Sequence, residues 1–151
     1  LRISSCTLFA PAASVALFES HYYPYLVTPP GTFGVDRMQV FNLDDRLELE
    51  DTVGGVYRKS LLYLVSRAFE EKVPEAILGM QVHMGALLQK PKMAAVADRF
   101  SVHYADGSAT GITQSTTHGG FDNDVASMNS LLRSILGTEP EHRFSRELLD
   151  Y

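Results

Sequence analysis

The strongest constraint on this chain is an alternation. Short apolar, β-compatible runs are separated by stretches whose apolar residues recur every three or four positions. That order favours an α/β fold, a mainly parallel sheet flanked by helices. Ile3 to Phe9 reads as a buried strand that stops at Pro11. Pro11 suits a first helical turn, and Val15, Phe18 and Tyr22 follow at helical spacing until Pro24 and the loop Thr28-Pro29-Pro30-Gly31. Met38 to Leu43 predicts a second strand, which runs into an acidic loop at Asp44-Asp45-Arg46.

Thr52 is placed to cap the next segment. After Gly54-Gly55, the run from Val56 to Glu71 carries an apolar stripe of Tyr57, Leu61, Leu64, Val65 and Ala68, and predicts the clearest helix. Ala76 to Leu88 is a weaker helical or irregular stretch, interrupted by Gly79 and Gly85. Phe100, Val102 and Tyr104 alternate with Ser101 and His103 as in a strand with one covered face. Asp106-Gly107 is a turn signal leading to a partner strand at Ala109 to Gln114. Thr116-Thr117-His118-Gly119-Gly120 is loop-forming throughout. Val125, Met128, Leu132 and Ile135 predict a last helix, with Asp122 or Asp124 at its start and Gly137 as its stop; a short helix is expected from Phe144 to Leu149. Residues 1–151 are expected to form a single α/β domain. The opening on Leu1, directly before a strand, leads us to expect a fragment of a longer chain.

Composition narrows the function. A net charge of −5, with 13 scattered Lys and Arg, argues against a nucleic-acid partner. No apolar run approaches the roughly 20 residues of a membrane helix. One cysteine rules out an internal disulfide and a multi-cysteine zinc site, and fits a reducing, cytoplasmic setting. No two histidines flank a glutamate at metal-ligand spacing, so neither metal nor cofactor is expected.

Two segments carry the candidate chemistry. The acidic cluster Asp44, Asp45, Glu48, Glu50 and Asp51 follows a strand, where ligands and catalytic groups collect in open α/β sheets; a solvated acidic loop is the plain alternative. His118 sits among small residues that leave an imidazole accessible, as a general base requires; a surface histidine is the alternative. Asp122 and Asp124 read as helix caps, and His21, His83 and His142 as structural or exposed. Cys6 lies in an apolar strand, where packing is the ordinary role. No serine stands in a Gly-x-Ser-x-Gly turn.

Three of these segments together resemble the C-terminal half of α/β-hydrolase-fold serine hydrolases. CTLFAPA resembles the strand after the nucleophile helix, MQVFNLDDR the strand whose trailing loop carries the triad acid, and TTHGGFDND the histidine loop before the last helix. DDRLELED, VYRKSLLYLVSRAFE and THGGFDND are similar to a group of bacterial α/β-hydrolase-like proteins of undefined substrate. The order of acid then histidine matches that family. The resemblance implies Asp45 as the acid, with Asp44 and Asp51 as alternates, and His118 as the base. It implies acyl transfer from a small-molecule ester, thioester or amide to a serine. That serine would lie upstream of Leu1, so the chain alone is expected to be inactive. Two other readings remain: a non-enzymatic α/β module that binds a partner or forms homo-oligomers through an exposed sheet edge, and a Cys6–His118 thiol enzyme.

Overall fold

A computed structural model gives the fold, and it describes residues 1–29, 31–51, 60–68 and 74–149. It is mixed α/β with small parallel sheets. The chain opens with β1 (Arg2–Ile3) and β2 (Cys6–Phe9), followed by one continuous helical stretch. That stretch comprises α1 (Val15–Leu17), a π-helical turn over Phe18–Tyr22, and α2 (Tyr23–Leu26). Next come β3 (Gly34–Val35), β4 (Met38–Leu43), α3 (Asp45–Glu50), α4 (Leu61–Ala68) and α5 (Gln81–Leu88). A 3₁₀ segment over Pro91–Val96 leads into β5 (Phe100–Ala105), and α6 (Val125–Leu136) and α7 (Arg146–Leu149) complete the described elements.

The principal sheet has three strands in the order β2-β4-β5, all parallel, with Cys6, Met38 and Phe100 in register at its amino edge. A small parallel pair, β1 with β3, stands apart from it. Strand β4 lies in the middle and is buried along its whole length, as a parallel strand covered on both faces must be. Its alternation builds two cores. Met38 and Val40, with Leu8, Phe100 and Val102, face Phe18, Leu26, Met84, Leu87 and Val96. Phe41 and Leu43, with Phe9 and Ala105, face Leu47 and Phe121. Of the polar interruptions on β4, Gln39 Nε2 donates to Thr7 Oγ1 across the strand pair and Asn42 Nδ2 donates to the Leu78 carbonyl, while Asn42 Oδ1 is buried with no hydrogen-bond partner among the described residues.

The structure corrects several expectations. The first strand is two pieces, β1 and β2, divided at Ser4-Ser5. The helix after it begins at Val15, where Leu17 N–H donates to Ser14 Oγ, and not at Pro11. Between β2 and that helix, buried Ala10 takes a left-handed φ of 36°. The acidic stretch is helix α3 and not a loop, because Asp44 caps it through the Leu47 N–H at 2.8 Å and Leu47 buries itself in the core. No strand forms over Ala109–Gln114. The Asp106 carboxylate accepts from Ser108 N–H just before this segment and Asp124 accepts from Gln114 N–H at its end, so side chains hold both of its flanks as loop. Of the long helix expected from Val56 to Glu71, the described part is α4; Thr52, residues 56–59 and residues 69–71 lie outside the described residues.

Helix α6 forms with Asp124 as its N-cap and Gly137, at φ 72°, closing it through an N–H to the Arg133 carbonyl. Its buried positions are Ser127 and Ser130, while Ile135 and Leu136 are each 53% exposed. No helix among the described residues is long and apolar enough to cross a membrane.

Candidate functional site

Parallel strands put all their carboxyl ends on one edge, and the loops leaving that edge build the site. Helix α3 starts one residue after β4 ends, and Asp44 N–H stays tied to the Ala105 carbonyl at the end of β5. Arg46 fastens the outer side of the helix: its guanidinium bonds Glu50 and donates to the Asp106 carbonyl. The inner side carries Leu47, Glu48 and, at the helix end, Asp51. Positions three apart share a helix face, so Glu48 and Asp51 look the same way. Both meet the loop after β5. His118 Nδ1 lies 3.9 Å from Glu48 Oε1, and His118 N–H donates to Asp51 Oδ2 at 2.9 Å.

Glu48 is 1% exposed, and among the described residues neither of its carboxylate oxygens has a hydrogen-bond partner; His118 Nδ1 is likewise buried and unpartnered among them. The His118 side chain as a whole is 21% exposed. Burying a carboxylate costs several kcal/mol, and the His118 ring at 3.9 Å offsets that cost only while it carries a proton on both nitrogens, so stability alone gives no reason to keep a glutamate here.

The histidine loop is built to hold this geometry. Gly120 N–H closes a turn onto the Thr117 carbonyl, which also accepts from the Ser115 hydroxyl. A Cβ on Gly120 would stand 2.8 Å from both Ser115 Oγ and Thr117 Oγ1, so a side chain there would push these hydroxyls aside. Phe121 then drops into the core, stacked on Phe9 with ring centroids 5.7 Å apart. An open cavity of about 440 Å³ flanks the loop, lined in part by Ser115, Thr116, Thr117, Gly120, Asn123 and Arg146.

The residues expected from sequence divide accordingly. His118 and Asp51 are brought together, though Asp51 bonds the backbone of the histidine and not its ring. Asp44 is spent on the helix cap. Asp45 makes no ion pair with His118 among the described residues. Its N–H donates to Gln81 Oε1, and its charge reinforces the upward push that burial gives the phenols of Tyr63 and Tyr104. The carboxylate at the imidazole is therefore that of Glu48, which sequence reasoning placed in the cluster without a role. Helical spacing was the available signal: Leu47 and Glu48 face inward once DDRLELED is read as a helix. Ser60 stands beside Glu48, its N–H donating to the Glu48 carbonyl and its hydroxyl buried without a partner among the described residues.

Cys6 begins β2, at the amino edge of the sheet, and burial pushes its thiol up, away from thiolate chemistry. His83 accepts the Ile77 N–H through Nδ1, a structural role. Among the described residues no group of three or more His, Cys, Asp or Glu side chains is arranged to hold a metal ion. Compared with protein-family models, curated proteins and solved structures, the chain matches none.

Proposed function

We propose that this chain is the acid–histidine half of a serine hydrolase acting on an ester, thioester or amide, in the manner of the C-terminal part of the α/β-hydrolase fold. The observation that carries the reading is the buried, otherwise unpartnered Glu48 carboxylate facing His118 Nδ1 at the carboxyl edge of a parallel sheet. Glu48 holds the proton on Nδ1, which leaves the Nε2 lone pair to take the proton of an attacking hydroxyl and return it to the leaving group. The gap of 3.9 Å closes to hydrogen-bond length once substrate is bound. A serine carried outside these 151 residues supplies the nucleophile, and a small acyl compound is the substrate. The chain order of acid then histidine supports this assignment.

The test is hydrolysis of short activated esters by the product of the complete reading frame. Turnover that vanishes in H118A and falls by roughly 10⁴ in E48Q agrees with the assignment. Turnover indifferent to both substitutions defeats it. A second reading, a module that pairs with a partner through its strands, draws on the outer edges of β2 and β5 and on exposed Ile135 and Leu136. Concentration-dependent association of the isolated chain, abolished by lysines at Ile135 and Leu136, would favour it.

A further inference from the structure

We infer that Asp51 is a positioning residue, the group that fixes where the imidazole of His118 sits relative to Glu48. This rests on the reading of Glu48 and His118 as an acid–base pair. The Asp51 carboxylate accepts the His118 backbone N–H at 2.9 Å across 67 residues of sequence. It does so from the end of α3, where Asp51 N–H is itself tied to the Leu47 carbonyl at 2.8 Å. One short helix thus meets the histidine at two points: Asp51 bonds its backbone, and Glu48 stands 3.9 Å from its ring. They stand three positions apart, about 4.5 Å along a helix axis, a span comparable to the reach from a histidine amide to its own ring. Such a clamp is needed because Gly119 and Gly120 follow His118 directly, and no atom lies within 4 Å of where a Gly119 side chain would begin. Without the anchor, backbone rotation at the glycines lets the imidazole swing away from Glu48. A charge-assisted bond to a backbone amide is among the stronger ways to prevent that.

Two acidic roles that sequence spacing leaves merged are thereby separated. Glu48 acts on the ring proton, and Asp51 sets the distance over which it acts. Nitrogen-15 spectroscopy of the histidine rings in the 151-residue chain tests this directly. In the wild type, His118 gives one sharp Nδ1 resonance. In D51A that resonance broadens and moves toward the tautomer average of free imidazole, while the rest of the spectrum stays dispersed. In D51N the carboxamide oxygen still accepts, so the ring resonance is retained while the His118 amide proton shifts upfield, reflecting a weaker acceptor. E48Q is the control: it moves the ring resonance and leaves the His118 amide in place. If E48Q moves the ring but D51A does not, the Asp51 role is overturned and the acid–base reading stands. If E48Q leaves the ring unmoved, the acid–base reading fails and takes the inference with it. Should D51A unfold, an unchanged His118 amide in D51N overturns the clamp on its own.

Discussion

Replacing Phe121 by alanine tests whether the histidine loop is held by the core or merely rests on it. Phe121 is 2% exposed and packs among Phe9, Phe41, Leu43, Leu47 and Ala105. Truncating a buried phenylalanine costs about 3–5 kcal/mol, the lost transfer energy plus the cavity left behind. Within that, the near-parallel stack on Phe9, tilted by 14°, accounts for about 0.5–1.5 kcal/mol. For a chain of this length each kcal/mol lowers Tm by roughly 2–4 °C, so F121A should melt roughly 6–20 °C below the wild type. Urea denaturation followed by circular dichroism measures the loss, and a double-mutant cycle with F9A isolates the stack. Because Phe121 stands three residues after His118, the His118 amide should also exchange with solvent faster in F121A than global unfolding alone explains. A loss below about 1 kcal/mol, with His118 still protected, would refute the idea that this ring anchors the site.

Other perturbations bear on the remaining links. Glu48→Leu should leave stability unchanged or raise it by about 1–4 kcal/mol, because it removes a buried, unpartnered carboxylate; a clear destabilisation in urea would mean that Glu48 is structural. Burial lowers the His103 imidazole below its ordinary 6.5. The unfolded chain therefore takes up a proton that the folded state refuses, and stability is lost as pH falls from about 6.5 through the folded value. H103Q should flatten that fall in unfolding experiments between about pH 7 and 5; a parallel curve would refute it. Gly137→Ala, at φ 72°, should cost about 1–2 kcal/mol in thermal melts through backbone strain, since only the Arg37 guanidinium lies near, at 3.7 Å.

The periodic parts of this fold were legible in the sequence. β4 and β5 declare themselves by length and apolar pattern, and α6 by its spacing together with Asp124 and Gly137 as caps. What was not legible came from competition between local and long-range bonding. DDRLELED is dense in charge and reads as solvated loop, yet the Asp44 cap and burial of Leu47 make it a helix, and that helix selects Glu48 over Asp45. Asp106-Gly107 signals a hairpin, but the side chains of Asp106 and Asp124 bond the amides of Ser108 and Gln114 at the two flanks of the expected second strand. Small residues marked the loop of His118 in the sequence, but which acid of DDRLELED faces that loop depends on helical phase, and the loop reading concealed that phase. The serine-lined inner face of α6 runs against its apolar pattern, and nothing in the packing accounts for Ile135 and Leu136 remaining open.

The most direct test of the central claim is covalent. A fluorophosphonate probe reacts with a serine that an adjacent base activates, and mass spectrometry then identifies the labelled residue. On the product of the complete reading frame, the account predicts one labelled serine outside residues 1–151, with labelling lost in H118A and strongly slowed in E48Q. Label on Ser60 or any other serine within these 151 residues, or label that persists unchanged in H118A, would contradict it.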